Sequence, residues 1–398
     1  MICLEFPMAK IKLYSPPIIT AKRKLKLGHG ANLVWCDILS RTFSRQGFSI
    51  DYHFPAWNHQ GRMFDDLSKT NSLEKILDEI ETTLEHKASL FKLEEHAPYT
   101  DTSEESRENA QDKFNKLKEK GFIKLEQNSY FLRIDKIREE TGLIEHINGT
   151  KFFPEGAKER LLDLIKTLNG AYPITKTREF ATPVPDDESA QKINPIFDLA
   201  VSPLLFSREP VDYSVDSLKT MLHGTFIPFV IWSGLYDIPF SKNVAVHGYL
   251  SADFESNGMT LDDFYKITNH DVLRGSALLC TSTMEDTKLN QSRIKKILKC
   301  TSKLVKIAWF FKNFGFHADL LNLQPSQLFN EGIQNLRHSL VMDKIIEKTF
   351  FFSKQLELGN LTEENYPEYV LLLNDSQAFF PSTYERAVEV LKKKNLVI

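Results

Sequence analysis

The feature that most constrains this chain is the order of elements around Gly28-His29-Gly30. The stretch KRKLKLGHGANLVWCDILSRTFSRQG places Lys22, Arg23, Lys24 and Lys26 within five positions, followed at once by Gly28-His29-Gly30 and an amphipathic run. Ahead of it, IKLYSPPII reads as a strand that Pro16 and Pro17 end or confine to an edge. After Gly30, the residues Leu33, Val34, Ile38, Thr42 and Phe43 recur three and four apart until Gly47, the spacing of a helix with one apolar face. FSIDYHFP is then a second strand, followed by the polar and aromatic loop AWNHQGR. Strand, glycine-rich entry, helix, strand opens a parallel α/β domain, with the first turn of the helix facing something anionic.

Composition sets the outer limits. The 398 residues are 42% apolar and 26% charged, which supports a sizeable core and suggests two or three domains. A formal net charge of −3 argues against non-specific coating of nucleic acid but leaves room for a local basic patch. Cys3, Cys36, Cys280 and Cys300 show no paired spacing, so neither disulfides nor a zinc knuckle is expected, and no metal ligands are assigned. No signal peptide is evident, and the most apolar stretch, FIPFVIWSGLY, is too short to span a bilayer. A cytoplasmic protein without membrane or DNA partners is expected.

Four regions follow from the texture of the chain: 1–70 as the first half of the α/β domain, 71–170 as an insertion, 171–275 as the second half, and 276–398 as a helical domain. NSLEKILDEIETTLEH is a one-faced helix, and APYTDTSEESRENAQDKF an acidic loop entering another. DSLKTMLHGTFIPFVIWSGLYD reads as a buried helix, KNVAVHGYLS as a strand, and MTLDDFYKI as a short helix. From residue 290 onward, Ile294, Ile297, Leu298, Leu304, Ile307 and Ala308 line one side of a helix with lysines between them, which reads as a solvated face.

Taken in order, these segments resemble class I aminoacyl-tRNA synthetases of the subgroup that handles methionine, leucine, isoleucine, valine and cysteine. The family signature His-x-Gly-His is matched by Lys26-Leu27-Gly28-His29, and the next family loop resembles Asn58-His59-Gln60-Gly61. SYFLRIDKIREE and ITKTREFATPVP resemble the return from the connective insertion, Asp216 and His223 the Asp and His of the second half, and VAVHGYLS the strand before the Lys-Met-Ser-Lys-Ser loop. HDVLRGSALLCTSTMEDTKLNQSRIKK resembles the stem leading to the helical domain. The resemblance implies a Rossmann-like parallel-sheet nucleotide-binding domain, split by an α/β insertion and followed by helices.

Three departures stand out. Lys26 replaces the first signature histidine, Asn58 replaces the carboxylate that receives the substrate ammonium, and the Lys-Met-Ser-Lys-Ser loop is absent. After HGYLS the chain reads ADFESNG, with two acidic residues and no lysine. Lys22, Arg23, Lys24 and Lys26 then either supply the missing charge against phosphate, form a solvated turn, or hold a tRNA backbone.

ATP, accompanied by Mg2+, is the implied cofactor. Gly28 permits close approach of the nucleotide, and His29 donates to phosphate at the helix start with the helix dipole behind it. Asp216 either accepts from the ribose hydroxyls or caps a helix. His223 is either a substrate contact or a satisfied core histidine, and His247-Gly248 forms the nucleotide-facing end of a strand. Trp57 and Asn58 line the acyl pocket, Trp57 as a wall or as packing under its loop. Asn58 accepts from an ammonium without a formal charge, so its grip on a free amino acid is weaker. His59 shares that role or acts as a base near neutral pH.

Three functions fit. The first is a ligase that activates an amino acid or related carboxylate with ATP and transfers it to tRNA or a small molecule, in specialised metabolism. The second is an ATP-independent enzyme that takes its acyl group from aminoacyl-tRNA. The third is a non-catalytic binder of nucleotide or tRNA.

Overall fold

The computed structural model describes residues 9–16, 27–53, 55–56, 69, 71–94, 99–100, 103–168, 170–178, 181–187, 191–252, 260–280, 284–312, 325–335 and 337–393. Strand β1 (Lys10–Tyr14) leads to helix α1 (Leu27–Arg45), strand β2 (Ser49–His53) and helix α2 (Leu73–Leu90). After an α/β stretch come strand β3 (Lys151–Phe153), strand β4 (Val211–Ser217), helix α3 (Ile227–Tyr236) and strand β5 (Ser241–His247). The chain continues through β6 (Leu250–Ala252), α4 (His270–Ala277), β7 (Thr287–Leu289) and α5 (Gln291–Phe311). Helices at Gln327–Gln334, His338–Glu357, Tyr366–Ser376 and Pro381–Lys392 follow.

The central sheet has the order β2-β1-β4-β5-β3, and every pairing in it is parallel. β3, from a stretch that reads as insertion, is its fifth strand. Such a sheet must be covered on both faces, and its strands show how. Successive side chains point to opposite sides, so Leu13, Val215 and Ala245 join one core with α1, while Tyr14, Val244 and Val246 join the other with Phe229 and Trp232 of α3. The first core runs on without a break into α5 and the later helices, through Leu304, Phe311, Tyr369 and Phe380.

The elements differ from the sequence expectation in three places. α1 starts at Leu27, ahead of the apolar periodicity counted from after Gly30, so Gly28-His29-Gly30 forms its first turn. Its glycines admit neighbours: a Cβ on Gly30 would sit 2.1 Å from the Phe91 ring. The stretch from Asp216 to Tyr236 is not one helix. Asp216 is the last residue but one of β4, a single π-turn occupies Leu222–Phe226, and only then does α3 begin. The strand KNVAVHGYLS breaks at Gly248 into β5 and β6, and β6 leaves the sheet to pair with β7.

Candidate active site at the strand ends

In a parallel sheet the strand carboxyl ends form one rim, and ligands of open α/β sheets bind in the crevice outside it. Four of the residues singled out in the sequence gather there. Asp216 and His247 lie on neighbouring strands, with Ser217 in register with His247. Gly248 follows directly, and Gly28 meets β6 two residues later, where a Cβ would stand 2.5 Å from the Leu250 carbonyl oxygen.

Asp216 is 1% exposed and its carboxylate is fully engaged. One oxygen accepts from the Ser217 N–H at 2.7 Å and from the Thr220 hydroxyl, and the other from the Thr225 hydroxyl at 2.8 Å. Burial pushes its pKa up to about 6 against the pull of those hydrogen bonds. The closeness of Gly224, whose Cβ would lie 2.6 Å from Oδ2, keeps the carboxylate shut in. Asp216 therefore braces the turn that leaves β4. It is neither a helix cap nor an open acceptor in this conformation.

His247 is likewise held within the chain. Its Nδ1 faces the Gly248 carbonyl at 2.7 Å, and its Nε2 faces the side-chain amide of Asn32 on α1. Burial holds its pKa down at about 4, so the ring is neutral across the physiological range. The space beside Gly248 belongs to the chain too, since a Cβ there would fall 1.8 Å from the Glu285 carbonyl oxygen. His223 is half-buried beside Tyr172, with ring centroids 6.2 Å apart. Burial and then the charge of Lys176 lower its pKa. It flanks the Asp216 turn, where its backbone N–H donates to the Thr220 carbonyl at 2.8 Å.

Lys24, Lys26, Trp57, Asn58 and His59, together with Lys22 and Arg23, lie outside the described residues. So does the side chain of His29, whose backbone belongs to the first turn of α1. Among the described residues no group of three His, Cys, Asp or Glu side chains is placed to hold a metal ion, and Cys36 and Cys300 are buried free thiols.

Two residues at this rim escaped the sequence reading. Asn32 pins His247 to α1. Lys219, on the turn after β4, stands with its Nζ 3.5 Å from the centroid of the Tyr249 ring and 3.9 Å from Asp286. The sequence carries no sign of either contact, because each depends on β5 and its continuation folding back beside β4 and α1.

Neither a family model nor a curated protein matches the chain by sequence. Solved structures match it by shape. Methionyl-tRNA synthetase of Mycobacterium tuberculosis bound by methionyl-adenylate superposes with a TM-score of 0.72 at 11% identity, covering 97% of this chain and 95% of that one. A second complex of that enzyme with methionyl-adenylate gives 0.74 at 12%, over 96% and 94% of the two chains. Its free form gives 0.68 at 12%, over 97% and 92%. Identities this low speak for the fold and not for chemistry. With its parallel five-stranded core and following helices, this chain has the fold of a class I aminoacyl-tRNA synthetase.

Proposed function

We infer that the chain activates an amino acid or a related carboxylate with ATP at the rim of β1, β4 and β5 and passes the acyl group to an acceptor, tRNA or a small molecule. The observation that carries this reading is end-to-end likeness in fold to a synthetase that holds methionyl-adenylate, with α1 entering at the strand ends. In such a reaction a carboxylate oxygen attacks the α-phosphorus of ATP and pyrophosphate leaves. The protein's share is alignment and stabilisation of charge growing on the phosphate oxygens.

In this reading the first turn of α1 offers backbone N–H groups and the positive end of its dipole, His29 donates to phosphate, and Lys24 and Lys26 add charge. Asp216 opens toward the ribose, His247 and Gly248 hold the nucleotide-facing strand end, and Trp57, Asn58, His59 and His223 surround the acyl group. Mg2+ travels with the ATP phosphates. The test is pyrophosphate exchange into ATP across the amino acids and simple carboxylic acids. Exchange with any one of them, lost in His29→Ala, supports the reading.

A second reading is favoured by one observation: the spaces left by Gly28 and Gly248 are closed by the chain's own carbonyls. That suits a protein that takes pre-formed aminoacyl-tRNA, or binds nucleotide or tRNA without chemistry. Absence of exchange with every acid, together with retained binding of aminoacyl-tRNA, would replace the first reading by this one.

A further inference from the structure

Among the described cations that lie over an aromatic ring, Lys219 is seated closest, 3.5 Å from the centroid against 4.8–5.7 Å for the others. Its turn is tied to the end of β5, because the Leu218 N–H donates to the His247 carbonyl at 2.8 Å. The ring beneath the ammonium is tied as well. The Tyr249 N–H donates to Asp286 Oδ1 at 3.1 Å, and the Tyr249 carbonyl accepts from Thr287 N–H at 2.8 Å. Three separate stretches of chain thus converge to set one ammonium over one aromatic face, at the rim where β4 and β5 end. The lysine keeps 56% of its side chain exposed, and among the described residues its nearest carboxylate oxygen, on Asp286, is 3.9 Å away, an ion pair but too far for a hydrogen bond. A cation oriented by a ring and left open on its outer side is poised for an anion. In sequence, the ADFESNG that follows Ser251 carries no positive charge.

We propose that Lys219, seated on Tyr249, meets the β- and γ-phosphates of ATP at this rim, and that Asp286 opposes it as the local competitor for the ammonium. This rests on the reading that the chain binds ATP, and it names a residue that reading does not use. A lysine suits the role as a mobile point charge that follows phosphate oxygens without demanding one geometry. The site discriminates by charge, so it favours ATP over AMP, which carries the same base, ribose and α-phosphate.

Calorimetric titration of the full chain with ATP and with AMP tests it, using wild type, Lys219→Met, Lys219→Arg and Asp286→Asn, each checked for an unchanged melting temperature. Wild type should bind ATP more tightly than AMP. Lys219→Met should weaken ATP roughly ten- to a hundred-fold, the worth of a charged hydrogen bond, while AMP changes less than about two-fold. Lys219→Arg should retain most of the ATP affinity, and Asp286→Asn should raise it. If Lys219→Met leaves ATP binding unchanged, or weakens ATP and AMP alike, Lys219 does not meet the outer phosphates and the proposal is overturned. If wild type binds neither nucleotide, the ATP reading itself falls and takes this proposal with it, an outcome distinct from the other two.

Discussion

Asp216 and His247, on neighbouring strands one register position apart, are buried groups whose pKa values are moved in opposite senses by the same cause. Loss of water disfavours the charged form of each, which raises the carboxyl to about 6 and lowers the imidazole to about 4. The consequences for stability have opposite signs. Between about pH 4 and pH 6 the folded chain keeps a proton on Asp216 that the unfolded chain has released, so this group makes stability fall as pH rises. Over about pH 4 to 6.5 the unfolded chain binds a proton at His247 that the folded chain refuses, so this group makes stability rise. His53, also held down at about 4 by burial, adds to the rise. Asp216→Asn removes the falling contribution and preserves an acceptor for the Ser217 N–H. It should steepen the gain in stability from pH 4 to 6.5; because Asn turns an N–H toward Thr225 in place of Oδ2, the variant should recover only part of the about 3 kcal/mol that the buried charge costs at pH 7. Urea midpoints measured at half-unit steps of pH would show this, and a variant profile parallel to wild type would count against it.

At two places on this rim the elements meet through backbone, at Gly28 and at Gly248. A glycine inside a helix ordinarily costs about 1 kcal/mol relative to alanine, so Gly28→Ala would stabilise α1 if the site were open. The Leu250 carbonyl, 2.5 Å from the added carbon, reverses that expectation, and at Gly248 the Glu285 carbonyl at 1.8 Å leaves still less room. Both substitutions should destabilise, on the scale of about 1–3 kcal/mol for overpacking, with Gly248→Ala the worse. Their double variant should fall short of the sum, because the two glycines bear on one stretch of chain on either side of Tyr249. Denaturant melts of the three variants would measure both points, and a stabilised Gly28→Ala would show that β6 stands off α1.

The same contacts explain what could be read from the sequence. Val244, Ala245 and Val246 announce a strand buried on both faces, and the three-and-four spacing from Leu33 to Phe43 announces α1, because both signals are local in the chain. The break of the strand at Gly248, the start of α1 at Leu27 and the seating of Lys219 on Tyr249 depend on partners far away in sequence. No periodicity encodes these. The roles of Trp57, Asn58 and His59 rest on the sequence resemblance, and those of Lys24 and Lys26 on their place beside Gly28-His29 in the sequence.

Across the whole molecule, one buried charge cluster ties the rim helix to everything that follows it. Asp37 of α1 and Arg274 of α4 are both fully buried and 2.7 Å apart, and Arg41 reaches the same carboxylate at 2.7 Å. Burial alone would raise the Asp37 pKa, but the two guanidiniums outweigh it and hold the group below its ordinary value. Arg274 spends its remaining donors on the carbonyls of Phe91, Ala378 and Phe379, joining the end of α2 and the entry to the last helix. One turn earlier, Asp271 accepts from the N–H groups of Ser382 and Thr383 at the start of that helix. Charges sealed away from water tolerate loss of a partner poorly: without Arg274 the Asp37 carboxylate keeps Arg41 alone, and three carbonyls lose their donor. Arg274→Met should therefore cost about 3–5 kcal/mol, while Arg274→Met with Asp37→Leu, which removes both sealed charges and leaves Arg41 to Glu94, should recover part of that loss. A cycle of the two single variants and the double one, followed by thermal melting, measures the coupling. The effect should reach the strand ends, because α1 carries both Asp37 and the Gly28-His29 turn. Nucleotide affinity in Arg274→Met should fall along with stability and return in the double variant. Affinity unchanged in a destabilised single variant would mean that the helices brace the rim without setting its geometry.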